Sequence, residues 1–134
     1  LLKQEKSTSA LVFYWGMNLS ESEFDVHNVL FVKDYKYEFD CLSKGEVSDD
    51  PTVYVYISSK TDSSDAPKGK ENWFVMINVP PNKGQNWASI VETARKNILD
   101  KLIYFQRSLF AYTPMTFVYN HDLFVIYSFS LSCQ

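Results

Sequence analysis

The chain has 134 residues, 46% hydrophobic and 22% charged, the balance of one globular domain and not of a disordered segment. Thirteen basic against sixteen acidic side chains leave a formal net charge of −3, so no basic excess favours nucleic acid or an anionic membrane. Two cysteines, Cys41 and Cys133, are too few for a disulfide scaffold, and the outlying figure is the aromatic content: ten Phe, nine Tyr and three Trp, or 16%.

The opening Leu1-Leu2-Lys3-Gln4-Glu5-Lys6 mixes charges without a long apolar region and is not a signal peptide. No run of about 18 apolar residues exists to make a spanning helix. A start without Met that runs quickly into a strand-like segment is what a piece of a longer protein would show.

Ser9-Ala10-Leu11-Val12-Phe13-Tyr14-Trp15-Gly16 is uncharged and aromatic, and reads as a strand covered on both faces. A polar turn follows, then a short strand over 29–32. Asp34 offers a helix cap, Tyr35, Phe39 and Leu42 fall on one stripe, and Gly45 ends that helix. Residues 52–57 alternate, with Val53, Val55 and Ile57 opposite Tyr54 and Tyr56. Residues 72–79 do the same, with Trp73, Val75, Ile77 and Val79 opposite Phe74, Met76 and Asn78. The polar connection 58–70 is longer than most structureless loops, and Pro80-Pro81 ends the second strand for want of amide hydrogens. Asn86 caps a helix from Trp87 to about residue 103, with Trp87, Ile90, Val91, Ala94, Ile98 and Leu102 on its apolar stripe.

Beyond residue 103 the charge disappears. Residues 104–134 carry two charged side chains, Arg107 and Asp122, yet nine of the aromatics. Strands over 116–119 and 123–131, turning at Asn120-His121-Asp122, would form a β-hairpin completing the sheet.

Few residues carry recognisable chemistry. There is no GxGxxG and no GxxxxGK[ST] to cradle a phosphate. His27 and His121 are isolated, and neither cysteine has a partner at ligand spacing, so no metal site is expected and His27 reads as a structural or surface histidine. No Ser stands in a GxSxG elbow. Ser58, Ser59, Asp62 and Asp65 are explained by capping and turns, Asp49-Asp50 by a solvated turn, and Lys68 and Lys70 are too sparse for a nucleic-acid footprint. No catalytic residue is assigned. The aromatics Tyr54, Tyr56, Phe74, Phe13 and Trp15, with Met76, admit two readings: they fill a core, or one sheet face lines a slot for a long apolar ligand. The residues alone favour the core.

Several of these segments, in order, resemble the central part of the phytoene desaturase type of carotenoid desaturases. The resemblance rests on residues 9–16, on Leu30-Phe31 with Asp34-Tyr35 and Phe39-Asp40, and on Asp49-Asp50-Pro51-Thr52-Val53-Tyr54-Val55. It continues through Ser58-Ser59-Lys60-Thr61-Asp62, residues 65–75 and Asn78-Val79-Pro80 into the helix from Trp87. It covers about residues 7–103 and is nearest to bacterial members. It implies an FAD-dependent oxidoreductase acting on long polyenes, of which this chain would hold the substrate-binding portion. The implied fold is α+β: a mixed β-sheet with helices packed on one face, the other face turned to flavin and polyene. Residues 1–103 would be a partial substrate-binding domain, and 104–134 a divergent aromatic-rich tail.

By the same resemblance, the strand through Phe13, Trp15 and Gly16 lies near the ligand channel, and Tyr54, Tyr56, Phe74 and Met76 line a wall. FAD is expected in the full-length parent and not in the isolated chain, which would be inactive. The parent would work in the cytoplasm against a membrane surface, and an uncovered sheet face would favour a homodimer. The alternative is a stand-alone α+β module binding an apolar ligand or a protein partner through its aromatic face.

Overall fold

A computed structural model describes residues 8–18, 22–109 and 123–128. Strands β1 (Ser9–Met17), β2 (His27–Leu30), β3 (Val53–Tyr56), β4 (Glu71–Val79) and β5 (Leu123–Ser128) form one sheet in the order β2-β3-β4-β1-β5. Each neighbouring pair is antiparallel. Helices α1 (Tyr35–Lys44) and α2 (Trp87–Leu109) complete an α+β fold. None of the helices in the described residues is long and apolar enough to cross a membrane.

The alternation read from residues 52–57 and 72–79 sets the β3–β4 register. Val53 lies opposite Ile77 and Val55 opposite Val75, while Tyr54 faces Met76 and Tyr56 faces Phe74. β1 joins the far side of β4, with Phe13 opposite Val75 and Tyr14 opposite Phe74. Because side chains alternate, these pairings separate two faces. Leu11, Phe13, Trp15 and Met17 of β1 join Val53, Val55, Trp73, Val75, Ile77 and Val79 in the core, closed by Val91, Ala94, Ile98 and Leu102 of α2. The loop 58–70 is organised by two short 3-10 turns, Ser58–Lys60 and Ser63–Asp65.

α2 starts where Asn86 provides the cap, its Oδ1 accepting from Ser89 N at 3.3 Å. The helix continues past residue 103 to Leu109. α1 is bounded as expected, by Asp34, whose side chain accepts from Tyr37 N, and by Gly45 in the left-handed conformation at φ 86. Its buried stripe differs from the expected Tyr35, Phe39 and Leu42. Glu38, Cys41 and Leu42 face inward, while Tyr35 and Phe39 are exposed and pack on each other at 4.7 Å with their planes tilted by 42°. The reason is polar. Glu38 ties the helix to the start of β3, accepting from Thr52 N at 2.9 Å and from Thr52 Oγ1 at 2.8 Å. A carboxylate satisfied twice can be buried where an apolar side chain was expected.

β2 lies two residues earlier than the expected 29–32, because Thr52 Oγ1 takes the Val32 amide and turns the chain toward the Asp34 cap. In the tail, β5 pairs with β1 from Ser9 opposite Ser128 to Tyr14 opposite Leu123. The expected strand over 116–119, the turn at 120–122 and residues 129–131 lie outside the described residues.

Candidate functional site: an open aromatic sheet face

The face of the sheet away from the α2 core carries the even-numbered side chains of β1, β3 and β4. β2, paired so that His27 lies opposite Tyr56 and Val29 opposite Tyr54, adds those two side chains to it. Two rows therefore cross the strands: His27, Tyr56, Phe74, Tyr14, and beside it Val29, Tyr54, Met76, Val12. Three inter-strand gaps make each row about 14 Å long, and two residues of strand rise separate the rows by roughly 6.6 Å.

The rings touch along and between the rows. His27 stacks on Tyr56 with centroids 5.0 Å apart and planes inclined by 16°. Tyr14 meets Phe74 edge-on at 5.4 Å, and Tyr54 meets Phe74 edge-on at 6.3 Å. These are the separations aromatic pairs favour. Tyr54, Tyr56, Phe74 and Met76 are half-buried, and Tyr14 and Val29 are exposed at 38% and 46%. The polar exception is a hydrogen bond between His27 Nδ1 and the Tyr54 hydroxyl, 2.8 Å long.

The sequence candidates divide between the two faces. Tyr54, Tyr56, Phe74, Met76 and Gly16 lie on the open face; Phe13 and Trp15 lie on the other, buried beneath α2. Phe13 packs on Trp15 at 5.5 Å, and the Arg95 guanidinium of α2 sits 5.9 Å from its ring. Tyr14, Val29 and His27 join the open face without having been singled out from sequence. For Tyr14 the signal was there: Phe13 and Trp15 alternate with it, and one face must be the core.

Polar groups at the end of β4 serve the fold. Glu71, 5% exposed, accepts from Ser22 N and Oγ at 2.9 and 2.7 Å and from Trp73 Nε1 at 2.8 Å, with Lys60 Nζ 3.7 Å away. On the α2 side, Phe31, Lys33, Asp50, Lys101, Tyr104 and Phe105 line an open cleft of about 400 Å³. Its charges are engaged: Lys101 Nζ donates to Asp50 Oδ1 at 2.8 Å and to Pro51 O at 2.7 Å. Burial opposes ionisation of Asp50, but the bonds from Lys101 and the Lys33 amide outweigh it and hold the carboxyl below its ordinary value.

Among the described residues no three His, Cys, Asp or Glu side chains gather to hold a metal. A flavin's pyrophosphate needs a glycine-rich turn with open amides at a helix start. Before α2, Gly84 N donates to Asn82 Oδ1 at 3.1 Å and Lys83 N to Gln85 Oε1 at 2.6 Å, so both amides are taken. These residues do not fit that group.

Comparison with known proteins finds carotenoid desaturases. A 1-hydroxycarotenoid 3,4-desaturase from a Flavobacterium species is 54% identical over 102 residues, 75% of this chain and 21% of the relative. The chain corresponds to a segment of a phytoene-desaturase-type protein. A 4,4'-diapophytoene desaturase from Staphylococcus haemolyticus is 36% identical over 72% of the chain and 20% of its own length. A zeta-carotene-forming phytoene desaturase from Myxococcus xanthus is 39% identical over 60% and 16%. The chain thus spans about a fifth of the length of these carotenoid desaturases. No family model matches it.

Proposed function

We propose that this segment is a substrate-binding wall of an FAD-dependent carotenoid desaturase of bacterial type, and that the open aromatic face carries the polyene. The observation that supports it most is the continuity of the face. Tyr56, Phe74 and Tyr14 in one row and Tyr54 and Met76 in the other offer apolar area across three strands, uninterrupted by a charged side chain. The relatives' names share a carotenoid or phytoene substrate, a long and apolar molecule.

A rigid, flat polyene gains from such a surface in two ways. Each apolar Å² removed from water contributes about 25 cal/mol, and ring side chains already packed on one another lose little freedom when covered. The segment's part in the reaction is then to bind, align and keep dry. Phe13 and Trp15 act from beneath, holding β1 flat against β4 so that Tyr14 and Gly16 present their side of the strand. The redox cofactor, FAD, is held by parts of the protein outside this segment, since the Lys83 and Gly84 amides of the turn before α2 are already taken. The isolated chain neither retains FAD nor desaturates.

The test is retention of a polyene by the 134-residue chain. Lycopene in detergent micelles is expected to co-elute with the chain in gel filtration, and Phe74→Ala to weaken that retention about tenfold, the worth of an aromatic face contact of roughly 1.4 kcal/mol. Elution of all the polyene with the micelles would overturn the reading. So would flavin absorbance that stays with the purified chain and bleaches on adding polyene.

A further inference from the structure

We propose that Gly16 is where the polyene leaves the aromatic face, and that the missing side chain there sets how long a chain the face admits. The inference rests on the reading of the face as a polyene wall and adds the direction in which the ligand runs off it.

The accessible part of β1 decides the direction. Each row spans only about 14 Å, shorter than a carotenoid, so the ligand has to run on beyond the rings. Toward the start of β1 the way is closed, since Ala10 and Val12 on this side of the strand are 5% and 1% exposed. Toward its end the way is open, with Tyr14 and Gly16 both exposed. Gly16 lies opposite Asn72, one diagonal step from Phe74, and Tyr54 lies one diagonal step from Phe74 on the other side. A rod laid from Tyr54 across Phe74 therefore passes beside Tyr14 and over position 16.

Nothing in the described fold calls for a glycine at this position. Its φ lies outside the left-handed region that favours glycine. The β1–β4 register runs through it unbroken, from Ser9 opposite Val79 to Met17 opposite Glu71, so it marks no bulge. Among the described residues no atom lies within 4 Å of where a Cβ would stand. Neither conformation nor crowding by these residues accounts for the glycine, and a glycine inside a strand weakens it. What a bare strand position offers is close approach by a ligand. Asn72, across from it, leans the other way: its Nδ2 donates to Ser58 Oγ at 2.7 Å and its Oδ1 accepts from Ser59 N at 3.0 Å, which draws the amide toward the end of β3. A strip of uncovered backbone is left between the Tyr14 ring and Asn72, and any side chain at position 16 would stand in it.

The experiment presents lycopene and the short rod diphenylhexatriene in the same micelles to the whole chain, with the retained fraction read from absorbance after gel filtration. Gly16→Val adds a branched side chain of the kind strands favour, so its urea midpoint is expected to equal or exceed that of the wild type. Its retention of lycopene is expected to fall about tenfold, the worth of roughly 55 Å² of lost apolar contact. Gly16→Ala, with one methyl group, is expected to lose about threefold, again at an unlowered midpoint. Diphenylhexatriene, short enough for the rings alone to cover, should lose less than lycopene in both variants. Lycopene retention at the wild-type level in both variants overturns the inference and leaves the polyene wall standing. So does a loss of lycopene that comes only with a lowered midpoint, because the glycine then serves the fold. Equal losses of the long and the short polyene overturn it as well, since position 16 would then not select by length. Retention of neither polyene by the wild type overturns the wall itself.

Discussion

Phe13 and Phe74 stand on neighbouring strands of one sheet, one residue apart in register, yet the molecule surrounds them differently. Phe13 has no exposed surface; it lies between Trp15 and the Arg95 guanidinium under α2. Phe74 is half-buried and meets Tyr14 and Tyr54 edge-on. The side chains of the covered face interlock with a second layer. Those of the open face touch sideways and, apart from Ala10 and Val12 of β1, keep outward surface. The sheet is therefore held together by one face, and the rings of the other stay accessible.

The largest expected effect separates these two phenylalanines. Phe13→Ala removes a fully buried ring from a packed core and should cost about 3–5 kcal/mol of stability. Phe74→Ala removes edge contacts and some half-buried area, and should cost roughly 1 kcal/mol. Urea unfolding of the two variants measures the difference. Equal losses would mean that the open face is covered as tightly as the core. A large loss of polyene retention with a small loss of stability, seen for Phe74→Ala, would sharpen the division.

A second, smaller effect probes the joint between α1 and β3 through its buried carboxylate. Glu38→Ala leaves the Thr52 amide and hydroxyl without their acceptor where α1 meets the entry to β3. The expected cost is about 1–3 kcal/mol, read as a lower urea midpoint at unchanged slope. Polyene retention should hardly move, because both of these bonds end on Thr52, outside the two rows. If retention falls as far as it does for Phe74→Ala, the two faces are not separable in the way drawn above.

How much of this was readable from the sequence depends on which residues carried a periodic signal. β3 and β4 alternate cleanly, so their faces and pairing were legible. Asp34, Gly45 and Asn86 marked helix ends by their own chemistry. In Ser9-Ala10-Leu11-Val12-Phe13-Tyr14-Trp15-Gly16 both parities are apolar, and nothing local says which one is covered. The partner strand decides: Phe13 lies opposite Val75, and Val75 belongs to the core parity of β4. Glu38 was hidden for the opposite reason, since a charged residue reads as exposed until its two donors, fourteen positions along the chain, are brought to it. His27 had no nearby partner in sequence at all. Its ring meets Tyr54, 27 positions away, only when β2 is laid beside β3.

The smallest expected effect concerns pH, at the rim of the covered side. Lys101 of α2 reaches across to Asp50, just before β3, with side chains 10% and 35% exposed. Asp50 is held below the ordinary carboxylate value, against burial, by hydrogen bonds from Lys101 and from the Lys33 amide. A folded-state value below the unfolded one, which is about 3.9, means that the folded chain binds the proton less readily. The contribution is therefore fully present above pH ~4 and is lost as the pH falls through the folded value. With a third of the carboxylate in water, solvent screening keeps it under about 1 kcal/mol. Asp50→Asn should lower stability by that amount at pH 7 and flatten the acid side of the stability curve measured by urea unfolding between pH 5 and pH 2.5. Because Lys101 anchors α2 to the strand side of the core and touches nothing on the aromatic face, polyene retention in the same variant should be unchanged at pH 7. A parallel loss of retention would show that the tilt of α2 is transmitted through Phe13 and Trp15 to the face they underlie.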